Sequence, residues 1–196
     1  MEDICQNDAP ITYGVLKPGE YCPNGVPLLQ IKDMVNGGIS MNDLHRISPS
    51  LDEEYKRSRI CDNDILVSLV GTIGRVAKVK GLGRANIHRN IGRVRSQYHD
   101  YLFHFLRSDV ALNEMGATSS GSSQSALNLS TLRAMKVPFP PLAEQKKIAK
   151  TLSTWDQAIA TTERLLDLAR QQKKAMMQQL LTGKRRFPGF EALPRK

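Results

Sequence analysis

The sequence predicts an α+β fold: a globular domain with a mixed, partly antiparallel sheet and short helices, followed by a long C-terminal coiled-coil helix. Two observations carry this. Up to about residue 140, short apolar runs alternate with Gly, Pro and Asn turn signals; beyond Pro141, apolar positions recur four and three apart for more than four heptads. On this basis the 196 residues divide into a globular domain over 1–140, a long helix over 141–183 and a basic tail over 184–196. With 40% hydrophobic and 24% charged residues, the composition is that of a globular protein, neither disordered nor collagen-like.

In chain order, Pro18-Gly19, Asn24-Gly25 and Asn36-Gly37-Gly38 punctuate short strands such as Val26–Ile31. Ser48-Pro49 opens a small polar helix. The nearly continuous apolar run Ile65–Val70 reads as a buried strand ended by Gly71 and Gly74, with another strand over Arg75–Val79. Between His99 and Met115, Leu102, Phe105, Leu106 and Val110 fall at helical spacing, which predicts one amphipathic helix stopped by Gly116. Residues 116–125 carry five serines, a threonine and two glycines, and so predict a surface loop with exposed donors. Ser130 is then the expected cap of a short helix, and Val137-Pro138-Phe139-Pro140-Pro141 an extended exit from the domain.

From about Leu142 to Leu181 there is no Gly or Pro, and Gly183 and Pro188 supply the stop. Ile148, Leu152, Trp155, Ile159, Leu166, Met176 and Leu180 form the stripe of a coiled-coil seam, with Thr162 and Lys173 as polar interruptions. Such a helix, roughly 60 Å long at ~1.5 Å per residue, is not stable alone. It needs a second helix as partner, or a domain to fold back upon; a domain of this size is too small to cover that length.

Charge is unevenly placed. The whole chain carries 28 basic and 19 acidic residues, for a net charge of +9, yet residues 1–70 hold six Lys/Arg against eleven Asp/Glu. From Gly71 to His99 there are seven basic residues, Arg75, Lys78, Lys80, Arg84, Arg89, Arg93 and Arg95, and no carboxylate. Phosphate is the natural counter-ion for such a segment, although a solvated strand surface has the same composition. Lys184, Arg185 and Arg186 suit either the carbonyl end of the preceding helix or a phosphate.

No chemistry-bearing constellation stands out. Glu54-Tyr55-Lys56 matches only the tail of a nuclease metal site, Gly81-Leu82-Gly83 lacks the third glycine of a dinucleotide loop, and no Walker lysine follows a glycine cluster. Ser122, Ser123 and Ser125 have no His and Asp arranged as a nucleophile pair. Cys5, Cys22 and Cys61 show neither a CxxC pair nor zinc-ligand spacing, which fits a reducing cytoplasm. No stretch approaches the ~18 apolar residues of a membrane span. Neither metal nor cofactor is expected.

Several blocks together carry a family resemblance: Tyr13-Gly14; the run from Pro27 through Gln30-Ile31-Lys32-Asp33 to Ile39; Asp64–Ser68 leading into Gly71-Thr72-Ile73-Gly74-Arg75; and Val137-Pro138-Phe139-Pro140-Pro141-Leu142-Ala143-Glu144-Gln145 with Ile148–Leu152. The chain resembles, from about Ile4 to Phe190, one DNA target recognition domain with its spacer helix from the specificity subunit of type I restriction-modification systems. A full specificity subunit is similar to two such units in tandem, held apart by paired antiparallel helices. This sequence has one unit and one helix, so the resemblance implies a half-subunit, either a natural short chain or a truncated one. It further implies a homodimer paired through the long helix, reading an interrupted palindrome in double-stranded DNA. Methylation and cleavage would belong to separate modification and restriction subunits, which bind S-adenosylmethionine and ATP; this chain would do no catalysis.

Within that reading, Lys78, Lys80, Arg84 and Arg93 are expected to neutralise phosphates, with Arg75 in the same basic segment. His88, Arg89, Asn90 and Gln124 carry donors and acceptors suited to base edges, and Ser119 and Ser120 add donors from the Gly/Ser loop. A protein-interaction adaptor whose coiled coil is its function is the competing class.

Overall fold

The computed structural model describes residues 1–117 and 126–190. The chain forms two compact units, Met1–Ala149 and Lys150–Lys196. The first is α+β. Its strands are β1 (Thr12–Tyr13), β2 (Val26–Leu29), β3 (Met34–Val35), β4 (Gly38–Ile39), β5 (His45–Ile47), β6 (Ile65–Ser68), β7 (Val76–Lys78), β8 (Asn86–Ile87) and β9 (Ile91–Val94). Its helices are α1 (Pro49–Glu54), α2 (His99–Leu106), α3 (Asp109–Ala117), α4 (Leu129–Ala134) and the start of α5 (Leu142–Leu181).

A four-stranded antiparallel sheet runs in the order β1-β9-β6-β7. A three-stranded sheet has the order β5-β2-β8, with β2 antiparallel to β5 and parallel to β8, and β3 pairs with β4 as a small ribbon. The apolar run of β6 follows from its position. Ile65 and Val67 join Leu102, Leu106, Met115 and Leu132 in one core cluster, while Leu66 joins Leu29, Ala77, Ile87 and Ile91 in another. A central strand covered on both faces has no polar side to show.

Glycine is required where β1 leaves its sheet. A Cβ on Gly14 would stand 1.7 Å from the Ile87 carbonyl oxygen, and the next residue, Val15, donates to that oxygen at 2.8 Å. Only a residue without a side chain lets these two backbones meet.

Two expected helix boundaries move. The single helix over His99–Met115 is two, because Ser108 interrupts it: its Oγ donates to the Phe105 carbonyl at 2.7 Å and accepts from the Ala111 amide at 3.4 Å, the bond of an N-cap. The cap of α4 is Asn128, not Ser130, which lies inside the helix. Ser48 does cap α1, accepting from Leu51 N at 3.2 Å. The long helix begins where the proline run ends. Pro141 carbonyl accepts from Glu144 and Gln145 amides, and the buried Gln145 side chain donates to the Pro140 carbonyl at 2.8 Å. Gly183, at φ 73°, follows the helix end.

The first unit also encloses carboxylates. Asp64 accepts two bonds of 2.7 Å from the Arg95 guanidinium. Asp52 is fully buried and accepts from Arg59 Nε at 2.9 Å, Arg84 Nε at 3.0 Å and Asn86 Nδ2 at 3.1 Å. Burial pushes its carboxyl up, but the bonds from Arg59, Arg84 and Asn86 outweigh it and hold the group below its ordinary 3.8.

The Asp52→Ala variant should lose about 2 kcal/mol of stability at pH 7 by urea unfolding. Because the folded-state pKa is depressed, this contribution is complete above the ordinary carboxylate range and disappears as pH falls through the folded value. The gap between parent and variant should therefore narrow only on acidification below 3.8.

Candidate nucleic-acid interface

The chain crosses from the three-stranded to the four-stranded sheet in three residues, His88, Arg89 and Asn90, between β8 and β9. Their backbone is held on every side. His88 N–H donates to the Leu29 carbonyl at 2.9 Å, Arg89 N–H to Val15 at 2.9 Å, and Leu69 N–H to the Asn90 carbonyl at 2.8 Å. With these main-chain groups bonded, the Arg89 side chain is not needed to satisfy them. Arg89 is exposed and forms no ion pair among the described residues. His88 Nδ1 accepts from the Asn90 amide at 3.3 Å, so the neutral ring carries its proton on Nε2, a donor. Burial first, then the charges of Arg89 and His45, keep this imidazole below its ordinary 6.5.

The remaining basic residues do not form one patch. Along β6, Ser68 pairs with Ile91 and Ile65 with both Lys78 and Val94. Arg75 and the corner therefore lie at the Ser68 end of the sheet. Lys78 and Arg95 lie at the Ile65 end, about 10 Å away at strand rise.

The segment without carboxylates in sequence also meets them in space. Lys78 pairs with Asp100, Arg84 with Asp52, and Arg95 with Asp64. Arg75 is exposed, but its Nη1 reaches the Ile31 and Met34 carbonyls at 3.3 Å each. Lys80 is exposed with no ion pair among the described residues. Arg93 requires correction as a phosphate contact. It is 3% exposed, and its guanidinium donates to the Arg59 carbonyl at 2.9 Å and the Pro10 carbonyl at 3.2 Å, so it holds the fold from inside. Ser119, Ser120 and Gln124 lie outside the described residues. Ala126, which follows that segment, pairs with Val70, one residue from the Leu69 that bonds the corner.

Two further basic residues, Lys56 and Arg57, lie outside the segment expected from sequence to meet phosphate. They sit in a 3₁₀ turn, Lys56–Ser58, directly after α1, and both are exposed. The signal was the Lys-Arg-Ser-Arg run itself, set in a net acidic third of the chain. Glu54 and Lys56 of the nuclease-like tripeptide are both exposed, at the end of α1 and the start of that turn.

In the second unit, the stripe on α5 is uncovered: Leu152, Trp155, Ile159, Leu166 and Met176 are 42–65% exposed, and Leu180 is half-buried. Ile148, within the first unit, is half-buried beside the buried Ala149. Among the described residues no helix is long and apolar enough to cross a membrane.

Comparison with known proteins gives one answer. Residues 4–170 match the family described as type I restriction modification DNA specificity domain. The chain is 33% identical over 154 residues to the type I restriction enzyme EcoBI specificity subunit of Escherichia coli, covering 76% of this chain and 32% of that protein. It is 29% identical over 170 residues to the putative type I restriction enzyme MjaX specificity subunit of Methanocaldococcus jannaschii, covering 81% and 39%. The chain thus spans about a third to two-fifths of the length of these relatives. Among solved structures, the HsdS subunit from Thermoanaerobacter tengcongensis aligns with a TM-score of 0.60 at 20% identity, over 84% of this chain and 38% of that one. A chain from a type I R-M system structure aligns at 0.64 and 20% identity, over 90% and 42%. At that identity the agreement concerns the fold.

The corner makes a direct prediction. Followed by proton NMR of the imidazole, His88 should titrate below 6.5. Arg89→Ala, by removing a neighbouring positive charge, should move the midpoint upward.

Proposed function

The chain belongs to the type I restriction modification DNA specificity domain family, and from that premise we propose that it is the DNA-reading half-subunit of a type I restriction-modification enzyme. The observation that carries this reading is the His88–Asn90 corner, where a backbone whose three amides are all bonded presents an unpaired guanidinium, a neutral imidazole and a carboxamide. These three groups suit the major-groove edges of base pairs: an Arg grips guanine through two bonds, and an Asn does the same for adenine. Lys80 and Arg75 contact phosphates and set register, while Arg84 adds charge from its pair with Asp52. Ser119, Ser120 and Gln124 supply further donors and acceptors for base edges.

The exposed stripe on α5, Ile148, Leu152, Trp155, Ile159, Leu166, Met176 and Leu180, pairs with the same stripe of a second copy. Two reading domains related by a two-fold axis then meet two half-sites of an interrupted palindrome. The dimer works in the cytoplasm, where it directs modification subunits, and through them restriction subunits, to the site. It performs no catalysis and holds no cofactor.

Two measurements test this. Arg89→Ala should cost about 1–3 kcal/mol against duplexes that keep one particular base pair and much less against those that vary it. Equal weakening for every sequence, with a shallower salt dependence, would make Arg89 a phosphate contact instead. Leu152→Asp should turn a dimer into monomers in sedimentation. A dimer that persists overturns the helix pairing, and retention of DNA that ignores added salt favours a protein-interaction adaptor.

A further inference from the structure

Beside the corner lies a basic cleft that the reading above does not use. Strand β1, only two residues long, is the edge of the four-stranded sheet, and a cleft of about 740 Å³ lies between it and the Lys56–Ser58 turn. Six basic residues line it, Lys56, Arg57, Arg59, Arg93, Arg95 and Arg133, against the carboxylates of Asp8 and Glu54. Most of these guanidiniums already have partners: Arg59 is held by Asp52 and Glu53, and Arg95 by Asp64. Lys56 and Arg57 have no ion pair among the described residues.

A second observation points the same way. Arg93, almost wholly buried at the cleft, has an Nε with no hydrogen-bond partner in the structure, although its other nitrogens are bonded to carbonyls. A buried, unpaired N–H on a cationic group among further cations favours an anion nearby. The cleft also joins the corner. Gly14 and Leu16 line it, and Val15 between them accepts the Arg89 amide.

We propose that this cleft takes the phosphodiester backbone of the duplex whose bases meet His88, Arg89 and Asn90, with Lys56 and Arg57 as the phosphate contacts. The inference rests on the DNA-reading function. A phosphodiester fits better than a small enclosed anion because the two unpaired cations are exposed at the cleft, as they must be to touch successive phosphates on a passing strand. The contacts carry no base information. They fix the angle at which the corner approaches the groove.

The test uses the full chain with Lys56→Ala/Arg57→Ala, fluorescence anisotropy on duplexes of unrelated sequence, and a salt series. A control variant, Lys146→Ala/Lys147→Ala, removes the same charge from exposed positions in α5. Two lost phosphate contacts should weaken every duplex alike and lower the slope of log K against log salt by roughly 1.8, while the melting temperature and the control's slope stay at parental values. An unchanged slope in the cleft variant, with Arg89→Ala still impaired, overturns the proposal and leaves the reading of the corner intact. An equal fall in the control means that net charge alone is at work, and also overturns it. A parent chain that retains no duplex overturns the DNA-reading function and the cleft with it.

Discussion

The proposed reading surface depends on a passage of main chain between two sheets. Strand β8 belongs to one sheet and β9 to the other, and three residues make the crossing. The crossing is narrow because Val15 pairs with His88 in parallel, which brings the Gly14 Cα so near Ile87 that no side chain fits. Three separate segments, around Val15, Leu29 and Leu69, then supply the bonds that hold the corner. A corner fixed in this way needs only the His88 ring, which accepts the Asn90 amide, for its own support and leaves the Arg89 side chain uncommitted, which suits a site that must present donors in a defined pattern.

Electrostatics divides the basic residues by the same logic. Buried Asp52 and Asp64 draw Arg59, Arg84 and Arg95 toward the interior, and Asp100 draws Lys78. Arg93 is buried outright and bonded to carbonyls. Arg89, Lys80, Lys56 and Arg57 remain exposed without ion pairs among the described residues. A net charge of +9 thus overstates the number of cations available to a polyanion and conceals where they are.

The features legible in the sequence were those with a local period or a local breaker. The unbroken heptad spacing gave α5 its extent, Ser48-Pro49 marked α1, and the run at Ile65–Val70 read as a strand buried on both faces because both core clusters claim it. The break between α2 and α3 was also written locally, in Ser108-Asp109, but the apolar spacing across it masked the cap. The pairing of charges was not legible. Arg84 meets a carboxylate 32 positions earlier, and Arg95 one 31 positions earlier, so a count along the chain sees seven cations and no acid. Lys56 and Arg57 were hidden for the opposite reason: in sequence they stand among the carboxylates of the net acidic first third of the chain.

That corner has a bearing on inheritance. Since the Arg89 amide is secured by the Val15 carbonyl and its side chain is exposed without an ion pair among the described residues, exchanging that side chain for another disturbs little that the fold relies upon. On the proposed reading, a lineage can therefore alter which DNA letters it answers to by a single change at that position, leaving the scaffold that displays it untouched.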